Sequence, residues 1–426
     1  MRVVRISPAE ISGRAAAPPS KSAAHRALIC AALAGGGTVR GVIPSDDMRA
    51  TLGAVEGLGV RAEYSGDTVT FKPLPVSESR DGVRVVDCRE SGSTLRFLIP
   101  VYAALGIECR FVGRGRLPQR PLGVYADCLP AHGVVLEYED KQASLPIRIR
   151  GRLESGRFVL PGNVSSQFIS GLMFALPLCG GGEIALSSPL ESAAYVDMTA
   201  DALRASGIVI TPTQEGWRIP KEGYVPCEYN VEGDWSQAAF LLAMGALGGE
   251  VAVGGLSADS RQGDRAIFEI LKRMGADISR ADNGIVCRRS RLEATDIDAA
   301  QIPDLVPILA TLAALARGIT RITGASRLRL KESDRLEAIA RCLNLLGGHV
   351  GQTEDGLIIE GVEGFGGGVT LPGFNDHRIV MSMAVAGLAC DSPIMIEDAE
   401  SVNKSWPEFF DVYKSCGGAA NVIQHW

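Results

Sequence analysis

The chain has 426 residues, of which 46% are hydrophobic and 22% are charged, and its net charge is -6. At about 150 residues per domain this length predicts two to three domains, and the composition is typical of proteins with large cores rather than of disordered chains. The acidic balance argues against a nucleic-acid-binding protein, because such proteins ordinarily carry an excess of Lys and Arg.

The cysteines and the first residues indicate a cellular location. Ten cysteines are scattered singly without a Cys-x-x-Cys pair, which is typical of reduced thiols rather than of a zinc site or a disulfide framework. The start, MRVVRISPAE, lacks the apolar core of a signal peptide. Apolar runs such as ISGLMFALPLC are shorter than the roughly 18 residues needed to span a bilayer. We therefore expect a cytoplasmic protein.

One pattern recurs along the chain: a helix of small apolar residues, a short β-branched run, a polar loop, and a second helix followed by a strand. Its copies have a period of roughly 70 residues and occupy 27–64, 96–138, 168–210, 238–278, 306–350 and 379–418. Helices and strands that alternate in this way predict an α/β fold with crossover helices. The first helix of each repeat is apolar nearly all round and is expected to be buried, while the more charged second helix is expected nearer the surface.

Two breaks divide the chain into halves of three repeats each. Pro18-Pro19 follows a strand-like stretch at 2–6, and VEGDW, beginning at Val231, falls between the third and fourth repeats. We therefore expect one domain at 19–231 and another at 232–426. The periodicity by itself does not assign residues 1–18 to either domain.

Polar clusters precede the buried helix of each repeat. They are Ser20-Lys21-Ser22 with Arg26, Glu90 to Thr94 with Arg96, Ser165-Ser166-Gln167, Asp234 to Gln237, Pro303-Asp304, and Asn375 to Arg378. Ser, Asn and Asp are ordinary N-caps, so a single serine here needs no further function. A helix N-terminus is also a natural anion site, whereas Lys and Arg oppose the helix dipole there. Lys21, Arg26, Arg96 and Arg378 nevertheless lie at these ends, and a bound anion would resolve the conflict.

The loops before the second helices carry more cations. They are Arg114, Arg116 and Arg120, then Arg327, Arg329, Lys331 and Arg335, and finally Lys404. A lone surface cation is ordinarily solvated, but RLRLKESDR holds four cations within nine residues. Arg329, Lys331 and Arg335 could contact several oxygens of a ligand, because Arg suits bidentate contacts with carboxylate or phosphate.

Three titratable side chains stand out in these segments. Glu332 and Asp334 are expected in the first turn of a helix, either as surface acids favoured by the helix dipole or as general acid/base groups. His377 is the histidine that falls within a motif, and its ordinary role would be that of a buried, hydrogen-bonded residue. The five histidines are too far apart for a metal site, and no Walker loop, Rossmann fingerprint or nucleophile elbow occurs. No metal or cofactor is therefore expected.

Together these segments resemble the 5-enolpyruvylshikimate-3-phosphate synthase (3-phosphoshikimate 1-carboxyvinyltransferase) family. The motifs are, in order, PSKSxxxR, SGSTLR, RGRLPQRPLG, SSQFISG, QGD, PDxxP, LRxKESDR, DHRIxM and NKSWPEFF. They cover nearly the whole chain, and their order is more specific than any one of them. The resemblance implies two domains of three βαβαββ units each, with the active site in the interdomain cleft and residues 1–18 in the domain of 232–426. It also implies transfer of the enolpyruvyl group of phosphoenolpyruvate to the 5-hydroxyl of shikimate 3-phosphate, with release of phosphate.

The resemblance further assigns roles to individual residues. Proton transfer is assigned to Lys21, Asp304 and Glu332. Phosphoenolpyruvate binding is assigned to Lys21, Gly92, Arg120, Gln167, Arg335, Arg378 and Lys404. Shikimate 3-phosphate binding is assigned to Lys21, Ser22, Arg26, Ser165, Ser166, Gln167, Ser192, Asp304 and Lys331. In these terms Asp304 takes the hydroxyl proton and Glu332 serves C3 of phosphoenolpyruvate, while pre-placed cations hold the anionic substrates.

Two positions depart from the family pattern. Many members read Asn-Ala-Gly-Thr-Ala-Met-Arg where this chain reads ESGSTLR, so that Glu90 adds a negative charge. Arg327 stands where a substrate-binding Asn is usual. These differences bear on substrate affinity and on the response to the inhibitor glyphosate. Gly92 has no methyl group to crowd that inhibitor, which favours sensitivity.

Other functions fit the same residues less well. UDP-N-acetylglucosamine enolpyruvyl transferases share the architecture, but they typically carry a cysteine in the loop that here reads GRGRLPQRPLG, and Lys-Asn where this chain has Lys21-Ser22. An RNA 3'-terminal phosphate cyclase is disfavoured by the acidic composition and by only 6% aromatic residues. A catalytically dead scaffold is disfavoured because Lys21, Asp304 and Glu332 are intact. We expect a monomer that binds two small-molecule substrates, and neither nucleic acid nor membrane.

Overall fold

The computed structural model describes residues 2–74, 83–139, 145–281 and 284–424. The chain separates into two compact units. The first, here called the terminal unit, consists of Met1–Pro18 and Glu232–Trp426, and the second, the inserted unit, is Pro19–Val231. The inserted unit is thus a continuous stretch of sequence that interrupts the terminal unit.

Helices and strands alternate along both units. The helices are α1 (Lys21–Leu33), α2 (Asp46–Glu56), α3 (Gly92–Ala104), α4 (Gly123–Cys128), α5 (Ser166–Ala175), α6 (Ala193–Ala205), α7 (Trp235–Gly248), α8 (Ile267–Arg273), α9 (Val306–Ala313), α10 (Arg335–Leu345), α11 (His377–Ala386) and α12 (Phe409–Ser415). The strands are β1 (Arg2–Ser7), β2 (Ile11–Ala16), β3 (Gly37–Arg40), β4 (Val60–Ser65), β5 (Thr68–Pro73), β6 (Arg84–Asp87), β7 (Cys109–Val112), β8 (Val134–Tyr138), β9 (Ile147–Gly151), β10 (Gly156–Leu160), β11 (Gly182–Leu186), β12 (Thr211–Pro212), β13 (Gly216–Ile219), β14 (Glu228–Asn230), β15 (Gly249–Gly254), β16 (Asp277–Ala281), β17 (Gly284–Arg288), β18 (Ile297–Asp298), β19 (Ile319–Thr323), β20 (His349–Gln352), β21 (Leu357–Glu360), β22 (Thr370–Leu371), β23 (Ile394–Ile396) and β24 (Ala419–Gln424). The prediction of an α/β fold is confirmed.

In the described ranges the strands form six four-stranded sheets that share one order. In the sheet β10-β11-β13-β12, the first two strands are parallel and the remaining contacts are antiparallel. Parallel neighbours need a crossover connection, and α5 supplies it between β10 and β11. The sheets β6-β7-β9-β8 and β18-β19-β21-β20 repeat this arrangement with α3 and α9. Helix and strand periodicity predicted one strand at the end of each repeat, whereas these three repeats have a hairpin there and a further strand before the buried helix.

Three sheets are completed by strands that are distant in sequence. In the terminal unit, β1 lies between β23 and β24 and is antiparallel to both. In the same unit, β2 is parallel to β15, although the whole inserted unit separates them in sequence. In the inserted unit, β14 is parallel to β3 and completes its sheet. In these three sheets, a strand from a distant part of the sequence therefore completes the four-stranded arrangement.

The first helix of each repeat is buried, as predicted. Every residue of α9 and of α11 is buried, and so is nearly every residue of α7. The second helices bury one face: in α10 Leu336, Leu343 and the two alanines are covered, while Glu337 and Leu345 are exposed. Each unit has its own hydrophobic core. None of the helices in the described ranges combines the length and the apolar character needed to cross a lipid bilayer.

Candidate active site

The predicted polar clusters lie at the starts of the buried helices. Ser20, Ser91 and Ser165 cap α1, α3 and α5, and each side chain accepts a hydrogen bond from a backbone N–H of the first turn. Asp234 and Asp376 do the same for α7 and α11. These side chains satisfy backbone donors that the helix itself leaves unpaired.

Helix α9 begins differently. A 3-10 turn, Pro303–Leu305, precedes it, and no side chain in the described part of the chain caps the turn or the helix. Asp304 therefore stands within the turn rather than at a cap position, so its carboxylate is available for contacts with other side chains.

Lys21 and Asp47 form an ion pair in the inserted unit. Lys21 is the first residue of α1, and its Nζ lies 2.7 Å from Oδ2 of Asp47 in the first turn of α2. Both side chains are largely but not fully buried, at 18% and 12% exposure, so a ligand can still reach the ammonium group. The acid stabilises the cation at a helix end whose dipole disfavours it.

Arg26 is buried against α6 and its own helix. Its Nε donates to Oγ1 of Thr199 at 2.8 Å, and its two terminal nitrogens donate to the carbonyls of Ser22 and Tyr195 at 2.7 and 2.8 Å. The guanidinium also lies over the ring of Phe97, 5.1 Å from its centroid. Burial lowers the pKa of Arg26 to about 10, so it remains a cation at neutral pH.

Gln167 connects two buried helices. Its Oε1 accepts from Nη1 of Arg96 at 2.8 Å, and its Nε2 donates to Oγ of Ser93 at 2.9 Å. The other terminal nitrogen of Arg96 donates to the carbonyl of Pro121 at 3.1 Å. Helices α3 and α5 and the loop after Arg120 are therefore held in register by one polar network.

Arg120 lies on the backbone of Gly92. A Cβ atom added to Gly92 would be 2.8 Å from Nη1 of Arg120 and 2.9 Å from its Cζ. Arg120 is itself 9% exposed. The missing side chain at Gly92 thus makes the space that the guanidinium occupies.

The serines assigned to the phosphorylated substrate lie at helix starts in the same unit. Ser22 and Ser166 are in the first turns of α1 and α5, and Ser165 is the cap of α5. Ser192 immediately precedes α6 in the left-handed region, with φ 57°. Backbone N–H groups and hydroxyls at helix starts form a favourable environment for a phosphate.

Arg335 is the centre of the charged cluster in the terminal unit. The fully buried guanidinium donates from Nε to Asp376 at 2.8 Å, from Nη1 to Asp304 at 3.0 Å and from Nη2 to Glu332 at 2.7 Å. Ser333 also donates to Asp376, at 2.9 Å. Arg335 is so enclosed by carboxylates that its pKa is raised despite its burial.

Asp304 is surrounded by cations. Its carboxylate lies 3.0 Å from Arg335, 3.1 Å from Arg378 and 3.6 Å from Lys331. Burial alone would raise its pKa, but Arg378, Lys331 and Arg335 together hold the pKa of Asp304 well below its ordinary value. Asp304 is therefore ionised at neutral pH.

Lys404 completes the set of cations predicted for this unit. It ends the 3-10 helix Ala399–Lys404, is buried, and donates from Nζ to the carbonyl of Asn375 at 2.5 Å. Asn375 immediately precedes the cap of α11. Lys404 thus lies beside the segment that carries Arg378.

The chain matches the family EPSP synthase (3-phosphoshikimate 1-carboxyvinyltransferase) over residues 6–413. It belongs to this family. A 3-phosphoshikimate 1-carboxyvinyltransferase of Clostridium kluyveri is 44% identical, and one of Clostridium botulinum is 42% identical, each alignment covering 98% of both chains. The EPSP synthase structure from Acinetobacter baumannii superimposes with a TM-score of 0.82 at 28% identity, covering 100% of both chains.

Family membership leaves the two departures from the family pattern to be explained from the structure. The carboxylate of Glu90 packs against the backbone of Gly115, which has φ +61°, in the arginine-rich loop before Arg120. Arg327 donates to the carbonyl of Ala300 at 2.7 Å. Glu90 therefore supports a loop, and Arg327 has a backbone contact in the terminal unit.

The structure revises the interpretation of the cations at helix starts. They contact acceptors of the protein itself: Lys21 contacts Asp47, Arg26 contacts Thr199 and two carbonyls, Arg96 contacts Gln167 and Pro121, and Arg378 contacts Asp304. A bound anion is therefore not required to offset the helix dipole. Arg96 in particular holds the side-chain amide of Gln167 through a hydrogen bond to its Oε1.

One expectation for the RLRLKESDR segment was wrong. Helix α10 begins at Arg335, so Asp334 is its cap and Glu332 precedes it, rather than both lying in the first turn. Arg329 bonds to Asp334 at 3.0 Å and to the carbonyl of Thr353 at 2.8 Å, and so supports the β20–β21 hairpin. The side chain of Asp334 accepts a hydrogen bond from the backbone N–H of Glu337, which places the start of the helix at Arg335.

Sequence reasoning missed the role of several buried acids that lie beside the predicted residues. Asp47 and Asp264 were assigned no role and Asp376 only that of a helix cap, yet each is buried beside a predicted site residue or its partners. Two of these acids had a signal in the sequence, because each lies in a matched motif at the start of a helix. Asp376 is the acid of DHRIxM, and Asp264 is the acid of QGD. His377 is buried, as expected, with Nδ1 3.9 Å from Asp376. All ten cysteines lie in the described ranges and are free thiols.

Proposed function

We propose that this protein transfers the enolpyruvyl group of phosphoenolpyruvate to the 5-hydroxyl of shikimate 3-phosphate and releases inorganic phosphate. In the addition step the 5-hydroxyl oxygen bonds to C2 of phosphoenolpyruvate while C3 gains a proton. In the elimination step the C2–O bond to phosphate breaks while C3 loses a proton. Membership of the EPSP synthase family over residues 6–413 supports this reaction.

The observation that carries the proposal is the position of Asp304 among Arg378, Lys331 and Arg335. The reaction needs a base for the hydroxyl proton and cations for two anionic substrates, and this cluster holds both. We assign Asp304 as the base, Lys331 to shikimate 3-phosphate, and Arg335 and Arg378, with Lys404, to phosphoenolpyruvate.

The charges of this cluster also suggest how the base is activated. Without ligand, the three cations make Asp304 a weak base, because they favour its ionised form. Anionic substrates on the same cations would offset that attraction and raise the pKa of Asp304. A base that strengthens only when the substrates are bound is suited to its task, because general bases work best when their pKa lies near the working pH.

The second proton-transfer group in the proposal is Glu332, with Lys21 as the third. Glu332 is 15% exposed and bonded to Arg335, so it lies beside a proposed phosphoenolpyruvate ligand. Lys21, paired with Asp47, is proposed to contact both substrates. Cations placed in advance stabilise the charge that develops on phosphoenolpyruvate without needing to reorganise during the reaction.

The proposal assigns the remaining ligands to the inserted unit. Arg120 and Gln167, with the backbone of Gly92, are proposed to bind phosphoenolpyruvate. Arg26 and the hydroxyl groups of four serines are proposed to bind shikimate 3-phosphate. The serines are Ser22, Ser165, Ser166 and Ser192. Cytoplasmic location and a monomeric state remain predictions.

The test is a direct assay with purified protein. Phosphate release and product mass are measured with phosphoenolpyruvate plus shikimate 3-phosphate, and with UDP-N-acetylglucosamine as the alternative acceptor. We expect turnover with the first acceptor and none with the second. Asp304→Asn should reduce kcat by about 100-fold or more, whereas Asp411→Asn, at an exposed position of α12, should not. Phosphate release with UDP-N-acetylglucosamine as the acceptor, but not with shikimate 3-phosphate, would overturn the proposal.

A further inference from the structure

Asp264 is a buried acid without an assigned role. It lies in the short turn Gly263–Ala266 that leads into α8, and it is 2% exposed. Its Oδ2 accepts a hydrogen bond from the hydroxyl of Ser236 in the first turn of α7. Its Oδ1 is also buried, and no donor in the described part of the chain reaches it. A buried carboxylate oxygen without a donor is costly, and protonation relieves that cost.

The charged groups facing Asp264 come from three other segments. Asp304 belongs to the turn before α9, Arg378 to α11 and Asp234 to the cap of α7. Arg378 already donates to the carbonyl of Asp304 at 3.0 Å and to its carboxylate at 3.1 Å. Asp264 therefore faces two other acids and an arginine that donates to one of them.

Burial is the largest of the effects that raise the pKa of Asp264 to about 7, and the negative charge of Asp304 is the second. The positive charge of Arg378 acts in the opposite direction. The acid is thus close to its titration point in a neutral solution. Its charge matters for ligand binding, because an ionised Asp264 would both attract Arg378 and repel an anion arriving there, while a neutral one would do neither.

We propose that Asp264 is a positioning residue that binds a proton from solvent when an anionic substrate occupies Arg378 and releases it when the anion leaves. The proton forms an O–H bond on the Asp264 carboxylate, and no other bond changes. The proposal rests on the proposed function, which places phosphoenolpyruvate at Arg378. Asp264 acts through Arg378 and does not itself touch the substrate.

The variant Asp264→Asn tests this, because the amide is close in shape to the neutral acid and can still accept from Ser236. Asp259→Asn, at an exposed position of the same loop, is the matched control. The first measurement needs no ligand: the free energy of unfolding of each protein is followed from about pH 4 to pH 8. An acid with a raised pKa stabilises the fold below its unfolded pKa of about 3.9, and that contribution is lost as pH rises toward the folded value.

We therefore expect the stability of the wild type and of Asp259→Asn to fall relative to Asp264→Asn between about pH 4 and pH 7, with the differences constant above that range. Parallel curves for all three proteins would overturn the titration of Asp264. If Asp264→Asn does not fold, Ser236→Ala replaces it. Removing the hydrogen bond that lowers the pKa of Asp264 should move the loss of stability to higher pH, and an unmoved curve would contradict the proposal.

The second measurement is calorimetry with phosphoenolpyruvate alone, in two buffers of different ionisation enthalpy at about pH 8. The wild type should take up a proton on binding, and its affinity should weaken by up to about tenfold per pH unit above pH 7. Asp264→Asn should lose that uptake. Equal uptake in both proteins would overturn the coupling. If phosphoenolpyruvate fails to bind any of the proteins and the assay shows no turnover, the proposed function fails with the coupling, while the unfolding curves still decide whether Asp264 titrates.

Discussion

The guanidinium of Arg120 occupies the space that a side chain at Gly92 would fill, with Nη1 2.8 Å from the position of the absent Cβ. Arg120 is the flexible partner, so any side chain at Gly92 must displace it. Gly92 begins α3 and lies between the cap Ser91 and Ser93, the partner of Gln167. A substitution at Gly92 would therefore affect two of the proposed phosphoenolpyruvate ligands, Arg120 and Gln167.

The first prediction is that Gly92→Ala raises KM for phosphoenolpyruvate by about 10- to 100-fold, because a displaced Arg120 loses a charge-assisted contact. KM for shikimate 3-phosphate should change much less. Gly53→Ala is the control, since it also lies in a helix but a Cβ there meets nothing within 4 Å. Steady-state kinetics measure both constants. An equal rise in both would show that the substitution damages the unit generally rather than displacing Arg120.

The second prediction concerns Glu332→Gln, which keeps the shape of the side chain and removes its charge. If Glu332 exchanges the C3 proton, kcat should fall by about 100- to 10,000-fold, more than any rise in KM for phosphoenolpyruvate. Glu337→Gln, at an exposed position in the first turn of α10, should leave both constants near wild type. An unchanged kcat in Glu332→Gln would reduce Glu332 to a structural partner of Arg335.

The third prediction is a pH dependence of stability that arises from Asp304. Because its folded-state pKa is depressed, Asp304 stabilises the protein above its unfolded pKa of about 3.9, and this contribution is lost as pH falls through the folded value. Denaturant unfolding of the wild type and Asp304→Asn should therefore differ most near neutral pH and converge below about pH 4. Asp411→Asn should follow the wild type throughout. A difference that grows on acidification would contradict the assigned direction.

The fourth prediction concerns a buried polar chain beneath the start of α3. His25 Nδ1 lies 2.7 Å from Oγ1 of Thr51, Thr51 lies 2.6 Å from Oγ1 of Thr94, and Thr94 donates to Ser91 at 2.8 Å. Burial lowers the pKa of His25 well below its ordinary value, and the positive charges of Lys21 and Arg26 lower it further. The ring is therefore neutral in this series of hydrogen bonds.

Thr51→Val removes the central hydroxyl of this hydrogen-bonded series, so that His25 Nδ1 loses this contact and Thr94 keeps its bond to Ser91. We expect a loss of about 1–3 kcal/mol in the free energy of unfolding, measured with urea. Thr311→Val is the matched control: Thr311 is equally buried, but its hydroxyl donates to the carbonyl of Pro307 in its own helix. Equal losses of unfolding free energy in the two variants would show that the series of hydrogen bonds contributes no more than an isolated buried hydroxyl.

The fifth prediction is that Cys128, the cysteine nearest the Arg120 loop in sequence, takes no part in the chemistry. Burial raises the pKa of its thiol to about 12, so almost no thiolate is present at neutral pH. Cys128→Ser should therefore retain kcat within a few-fold. A folded variant that lost more than about 100-fold would indicate nucleophilic catalysis and contradict the proposed mechanism.

The sequence alone determined the features that arise within one short segment. Helix starts at Ser20, Ser91 and Asp376 were predictable because a cap needs only a suitable side chain followed by an apolar helix. The burial of α7 and α9 followed in the same way from their composition. The ordered motifs predicted the family because they occur together and in the family's order along nearly the entire chain.

Only the tertiary structure decided which side chains meet. Arg335 and Asp376 are 41 residues apart in sequence, and Lys21 and Asp47 are 26 apart. Neither pair has a local periodicity that could reveal it, because each depends on how separate helices pack. The placement of β1 between β23 and β24 likewise depends on pairing between opposite ends of the chain. Such pairing depends on burial and register across the whole unit, which no local pattern records.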